Sequence, residues 1–389
     1  MTIVLCFIAV TVEGFDMQSG GVAAPGMAAH YDLESGALGL VLAGTPIGLL
    51  FGTILGGRSA DLVGRKTGLM WSLGLFGVFS LASAFAPSFE LLLLFRFLTG
   101  LGLGGAMPNL IALAAEASGR KSKVNFVVMA MIGLPFGGMI AATIGLLVAN
   151  IESGWRAIFV IGGVAPLIVA GIVFFALRES QEFEMASVQG PKPSVHEVLF
   201  SGGRGRTTIL LGLAFFCTLL VIYLLQNWLP TLMVSNGFSR QESGKIQICL
   251  NGGSVLGAIV IAYTINRISR KGVIAATFAG AASSLLVLSG MGNSIIQAAL
   301  LTGIVGAFIA GSQLLLYAMA PTFYDTLMRG TGVGATTAMG RLGAAVGPLA
   351  VIPILGGGGG TSTVLLAILP VIAVAGTAAF LLTSRPQLM

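Results

Sequence analysis

Twelve apolar runs of about twenty residues, each closed by a short polar stretch, recur along the chain, and no other feature constrains the fold as tightly. A run of that length crosses the roughly 30 Å hydrocarbon core of a bilayer as a helix. The runs lie at about 2–29, 36–58, 67–86, 90–116, 123–149, 155–177, 207–232, 242–265, 272–291, 295–319, 332–354 and 362–383. In lipid every backbone N–H and C=O must be paired internally, so a chain built this way is expected to be all-α and polytopic. Only 9% of the residues are charged and 56% are apolar, against roughly 25% charged in soluble domains. Gly at 57 positions suits helices that approach one another closely in a membrane.

Charge placement predicts the orientation. Of 20 Lys and Arg, only Arg156, Arg240 and Lys245 fall on the face opposite the termini, while Arg96 and Arg341 fall inside spans. The rest crowd the face that carries both termini, which the positive-inside rule makes cytoplasmic. Residues 1–12 lack the basic start of a secretory signal, and the apolar pattern continues past Asp16, so no cleavage is expected. The longest polar segment, 179–206, divides an N-terminal bundle of six spans, 1–178, from a C-terminal bundle, 207–389. A short amphipathic helix is expected near His196 to Phe200 within it. The halves echo each other. Asp61-Leu-Val-Gly-Arg65-Lys66 is matched about 205 residues later by Asn266-Arg-Ile-Ser-Arg270-Lys271, and Leu98-Thr99-Gly100 about 203 later by Leu301-Thr302-Gly303. Two pseudo-symmetric six-helix bundles follow, an organisation common in secondary transporters, which bind near the midplane at the repeat interface.

Two carboxylates break the first run. Glu13 and Asp16 lie roughly 20–24 Å along a helix that rises 1.5 Å per residue. An ionised carboxylate at that depth costs at least about 2.5–3.5 kcal/mol. Three residues apart, they share a helix face, so they must face a cavity, a cation or a proton. Cys6, Cys217 and Cys249 sit in apolar runs far apart and read as core residues. His30 and His196 are in different loops, so no metal site is expected. The scattered basic residues do not suggest nucleic acid.

Gly57-Arg-Ser-Ala-Asp61-Leu-Val-Gly64-Arg65-Lys66, with twelve spans and a central linker, resembles the loop signature of the major facilitator superfamily (MFS). Glu13-Gly14-Phe15-Asp16 resembles the acidic span-one motif of that superfamily's aromatic acid:proton symporter family. Gly21-Val-Ala-Ala-Pro25, Arg96-Phe-Leu-Thr-Gly-Leu-Gly-Leu-Gly104 with Pro108-Asn109, Asn227-Trp228-Leu-Pro230 and Arg329-Gly-Thr-Gly leading to Arg341-Leu-Gly-Ala-Ala-Val-Gly-Pro348 agree with it. Glu13 stands where the family often has Asp.

The resemblance implies a proton-coupled symporter that imports small aromatic carboxylates, of the hydroxyphenylpropionate or hydroxybenzoate type, by alternating access. It would serve aromatic hydrocarbon catabolism from the bacterial inner membrane, with protons as coupling ion, no cofactor, and a monomeric state. Spans one and four line the cavity in this superfamily, so Arg96 is the expected partner of Asp16. Asp16 would carry the proton, with Glu13 co-titrating or structural. Arg341, flanked by Gly340, Gly343 and Gly347, is the expected ligand of the substrate carboxylate, because a guanidinium binds carboxylates through a two-pronged fork. Gln18, Asn109, Tyr223, Asn227, Trp228, Gln313 and Tyr317 could bond a ring hydroxyl or stack on the ring, and Gln226 and Gln247 are weaker candidates. Asp61, Arg65 and Glu116 are expected to form a cytoplasmic latch, with Arg329 gating. Two other readings compete. An exporter of drugs or metabolites would share the fold, but export of cations favours an acidic cavity without Arg341. A membrane sensor without transport would need a soluble output domain larger than residues 179–206. An enzyme is not expected: there is no phosphate-cradling loop, nucleophile–His pair or metal cluster.

Overall fold

The computed structural model of the chain describes residues 2–63, 65–117, 123–176, 195–201, 204–264, 267, 269–292, 294–324 and 329–383. Side chains are described over the same residues except 2–3, 6, 54, 56–63, 65, 107–117, 123–131, 195, 262, 321 and 329–331.

The described residues form helices joined by short turns, without strands. Six long helices come first: α1 (Thr2–Tyr31), α2 (Ser35–Val63), α3 (Arg65–Ala84), α4 (Phe89–Ala117), α5 (Lys123–Val148) and α6 (Gly154–Ala176). A short α7 (Val195–Phe200) follows, where the amphipathic helix was expected; the linker residues 177–194 lie outside the described residues. Then come α8 (Gly205–Ser235), α9 (Arg240–Thr264), α10 (Arg270–Ser289), α11 (Ile295–Met319), a 3-10 turn (Ala320–Phe323), α12 (Arg329–Ala350), α13 (Ile352–Gly356), α14 (Thr361–Ala367) and α15 (Leu369–Leu382). Among the described residues, ten spans are long and apolar enough to cross a membrane. With α1 at 30 residues and α5 at 26 they make twelve long helical segments. The eleventh and twelfth expected spans are present as Gly332–Gly356 and Thr361–Leu382, each with a one-residue interruption of the helix, at Val351 and Ile368. Pro353 and Pro370 stand in the first positions of α13 and α15. Proline lacks the N–H of a helical bond, which weakens the ladder at these two points, although Pro25, Pro46, Pro135, Pro166, Pro230 and Pro348 sit inside unbroken helices.

Local chemistry sets the other helix ends. Ser239 Oγ accepts from the Glu242 amide at 3.2 Å while Glu242 Oε2 accepts from the Ser239 amide at 2.9 Å, a capping box that starts α9. Ser269 caps α10 and Ser294 caps α11 through their hydroxyls. Asp32, at φ 50°, turns the chain between α1 and α2.

The chain forms two compact units, Met1–Gln189 with Gln226–Asn251, and Gly190–Leu225 with Gly252–Met389. The end of α8 and the start of α9 thus count with the first unit. Within the first unit, glycines set the closest approaches. A Cβ at Gly137 of α5 would land on the Thr11 carbonyl of α1, and one at Gly48 of α2 on the Phe97 carbonyl of α4. The second unit repeats the scheme about 205 residues on. Gly343 of α12 lies against the Phe216 carbonyl of α8, and Gly253 of α9 against the Gly303 carbonyl of α11. Phe97 therefore corresponds to Gly303, so the two Leu-Thr-Gly tripeptides that suggested the repeat sit one helical turn out of register. Helix contacts recur every three to four residues, so a one-turn slip preserves the pattern of small residues and is invisible in sequence.

Candidate functional site

Asp16 sits in the first unit with no exposed surface. Its Oδ1 accepts a 2.6 Å hydrogen bond from Ser80 Oγ of α3 and one of 3.2 Å from Ser19 Oγ, one turn along its own helix. Arg96 of α4, 1% exposed, brings Nη1 to 3.5 Å from the same oxygen and Nη2 to 3.3 Å from the Asp16 carbonyl. The guanidinium also lies over the Phe159 ring of α6, 4.9 Å from its centroid, within cation–π range. Four helices thus meet at one carboxylate. Gly162 permits it: a Cβ there would stand 3.0 Å from Asp16 Oδ1 and 3.1 Å from Ser80 Oγ, closer than side chains normally pack. Glu13, one turn back, is buried at 1% exposure.

Asp16 Oδ1 collects the donors, whereas Oδ2 has no hydrogen-bond partner among the described residues. A proton on Oδ2 would displace none of the existing bonds. Leaving the pair with one partner missing inside a low-dielectric core is costly, about 3–5 kcal/mol in measured cases, so protonation of Asp16 would press Arg96 to find another anion. Gly20 leaves room beside it. A Cβ built there stands 3.8 Å from both Arg96 Nη2 and Asn227 Oδ1, ordinary contact distance.

The opposite side of α1 carries a neutral cluster. Gln18 and Asn251 exchange bonds, Nε2 to Oδ1 at 2.8 Å and Nδ2 to Oε1 at 2.7 Å, and Gln247 Nε2 donates to Gln18 Oε1 at 3.1 Å. All three residues are at most 2% exposed. Gly138 of α5 makes space for it, since a Cβ there would land on the Gln18 amide. Asn227 and Trp228 are buried in the same unit.

The second unit holds Arg341 on α12. Gly340, Gly343 and Gly347 lie against Leu219, Phe216 and Leu220 of α8, which brings the Arg341 guanidinium alongside Tyr223. Its Nη1 donates to Tyr223 Oη at 3.1 Å. Tyr223 is buried, while Arg341 keeps partial exposure. Tyr317 packs edge-on against Phe215 with centroids 5.1 Å apart, and Gln313 is half-buried on α11. The side chains of Asn109, Asp61, Arg65, Glu116 and Arg329 lie outside the described residues.

Sequence reasoning did not single out Ser80, Ser19, Phe159, Gly162 or Asn251. Serines in apolar helices usually bond their own backbone, so Ser80 carried no distinct signal. Asn251 did: with Gln247 it forms an amide pair four residues apart, and so on one helix face, inside an apolar run.

The sequence profile of the Major Facilitator Superfamily matches residues 6–348. The chain is 40% identical over 99% of its length to the 3-(3-hydroxyphenyl)propionate transporter of Escherichia coli K12, covering 94% of that protein. It is 34% identical over 94% of its length to a 4-hydroxybenzoate transporter of Pseudomonas putida, covering 88% of it. Among solved structures, a D-xylose–proton symporter superposes with a TM-score of 0.81 at 16% identity, covering 98% of this chain and 96% of that one. An inward-facing bacterial homologue of the human lysosomal transporter Spinster reaches 0.76 at 18% identity with the same coverage.

Proposed function

The chain belongs to the Major Facilitator Superfamily, and from that premise we propose that it imports small aromatic carboxylates together with protons by alternating access. As a member of that family it is a multi-pass membrane transporter rather than an enzyme. The finer reading concerns the cargo, the coupling and the direction.

The observation that carries the coupling is the buried Asp16, bonded to Ser80 at 2.6 Å and 3.5 Å from Arg96, with an oxygen open to a proton. The names of the relatives support an aromatic acid of the hydroxyphenylpropionate or hydroxybenzoate type. Arg341 supplies the cation for its carboxylate. Partly exposed and beside the Tyr223 hydroxyl, it offers an anion a charge-assisted fork. One proton taken up with one carboxylate leaves the net charge moved near zero, so the pH gradient would drive uptake more than the membrane potential would. The concentration of Lys and Arg on one set of loops supports cytoplasmic termini in a bacterial inner membrane. Asp61, Arg65 and Glu116 act in this reading as a latch on that face with Arg329 gating, and the protein works as a monomer.

Proteoliposomes test it. With an inward proton gradient, labelled 3-(3-hydroxyphenyl)propionate or 4-hydroxybenzoate should accumulate, and a protonophore should abolish accumulation. Uptake of these and related aromatic acids that ignores the gradient would overturn symport.

A further inference from the structure

The first unit contains a cavity of about 50 Å³ where α1, α5, α6, α8 and α9 end. One water needs about 10–15 Å³ on that measure, so the space matches three to five waters, or a single aromatic ring. Val22, Val148, Ile158 and Pro230 give it apolar walls. Trp155 and Gln247 line it from inside, 4% and 1% exposed, and Arg240 and Glu152 stand exposed at its mouth.

Two buried polar atoms at this cavity have no hydrogen-bond partner among the described residues: the donor Trp155 Nε1 and the acceptor Gln247 Oε1. The identity of the second follows from the neighbouring amides. Asn251 bonds the Gln247 backbone carbonyl at 3.1 Å, and a carbonyl only accepts, so Asn251 presents Nδ2 there. Asn251 Nδ2 then also fixes Gln18 Oε1 opposite it, which in turn requires Nε2 from Gln247. Gln18 and Asn251 do not line the cavity, so the Gln247 nitrogen faces the cluster and its oxygen faces the cavity. Arg240 is held at the mouth by the capping box at Ser239 and by a 3.3 Å bond from Nη2 to the Pro25 carbonyl.

The geometry points to a second binding site here, for a hydroxylated aromatic carboxylate entering or leaving the protein. The ring lies between the apolar walls. Its hydroxyl accepts a hydrogen bond from Trp155 Nε1, the interaction that sets the preference for a hydroxylated ring. Its carboxylate pairs with Arg240 at the mouth, where Glu152 opposes it and keeps the site weak enough to release its ligand. The site rests on the proposal that the chain carries aromatic acids, but it uses neither Arg341 nor Asp16.

Equilibrium dialysis of the full chain in nanodiscs, with labelled 4-hydroxybenzoate and benzoate, tests it. Arg341→Ala should still bind 4-hydroxybenzoate, in preference to benzoate by about fivefold, the usual net value of one hydrogen bond. Adding Trp155→Phe should erase the preference and leave benzoate binding unchanged, with thermal melting to check the fold. Glu152→Gln should tighten both acids by two- to fivefold. A preference that survives Trp155→Phe, or loss of all binding in Arg341→Ala, overturns the site while wild-type uptake of aromatic acids keeps the transport proposal. Wild type that neither binds nor takes up any aromatic acid overturns both.

Discussion

The two units share a packing scheme and differ in what they place at its centre. In the first, Asp16, Ser80 and Arg96 meet in the core. The positions about 205 residues on, located by the matching glycine contacts and the Arg-Lys pairs, are Val221, Leu285 and Thr302, all buried. The Thr302 hydroxyl bonds back to the Ala298 carbonyl of its own helix, so this core holds no charge at those positions. The second unit carries a cation within a span elsewhere, at Arg341, where the first has Pro135 on the corresponding helix. A duplicated scaffold has thus been given two different charges. One is sealed in the core; the other is partly exposed and donates to the Tyr223 hydroxyl. The sealed pair suits a proton, which is small and needs no large opening. The partly exposed guanidinium would suit, on the proposed function, an anion that must arrive and depart.

The contrast can be tested by removing one charge at a time. Arg341→Ala should lose about 3 kcal/mol of substrate binding, roughly a hundredfold in Kd, with an unchanged melting temperature. Arg341→Lys should recover only part of it, because a point charge replaces a fork. If Arg341→Ala binds normally, the second unit's charge is structural and the contrast fails. Arg96→Ala should behave oppositely, with about 3–5 kcal/mol lost in stability, and Asp16→Asn in the same chain should restore some of it. Asp16→Asn alone should keep substrate exchange between two loaded compartments and lose gradient-driven accumulation. Accumulation that persists would remove Asp16 from coupling. Gly138→Ala should cost about 1–3 kcal/mol by driving the Gln18 amide from its partners. Ser80→Ala should cost about 1–2 kcal/mol and slow accumulation without changing substrate affinity, read from initial rates.

The helices were legible because a bilayer leaves a chain few choices. Twelve apolar runs prescribe twelve spans, whereas the interruptions beside Pro353 and Pro370 were not legible, since six other prolines sit inside unbroken helices. Asp16 was legible because a carboxylate in hydrocarbon demands a reason, and Arg96 because a cation at similar depth demands one too. What surrounds them was not. Ser80, Phe159 and Gly162 come from α3 and α6, and in apolar runs a serine, a phenylalanine and a glycine each have ordinary roles. Only the packing of four helices singles them out. The offset of the internal repeat misled by one turn for a related reason: sequence records residue types, whereas register is decided by which small residue faces which carbonyl.

Gln18 lies two residues beyond Asp16, about 200° around the helix, so α1 is gripped from opposite sides at nearly one level. On one side the grip is ionic; on the other three neutral amides hold it. A helix clamped this way acts as a torsion bar. Any rotation that draws Asp16 away from Ser80 twists Gln18 against Asn251, and the amides return the torque when the carboxylate regains its partners. The proton would then not have to push anything open. It would only have to release one end of a spring that the neutral side keeps wound.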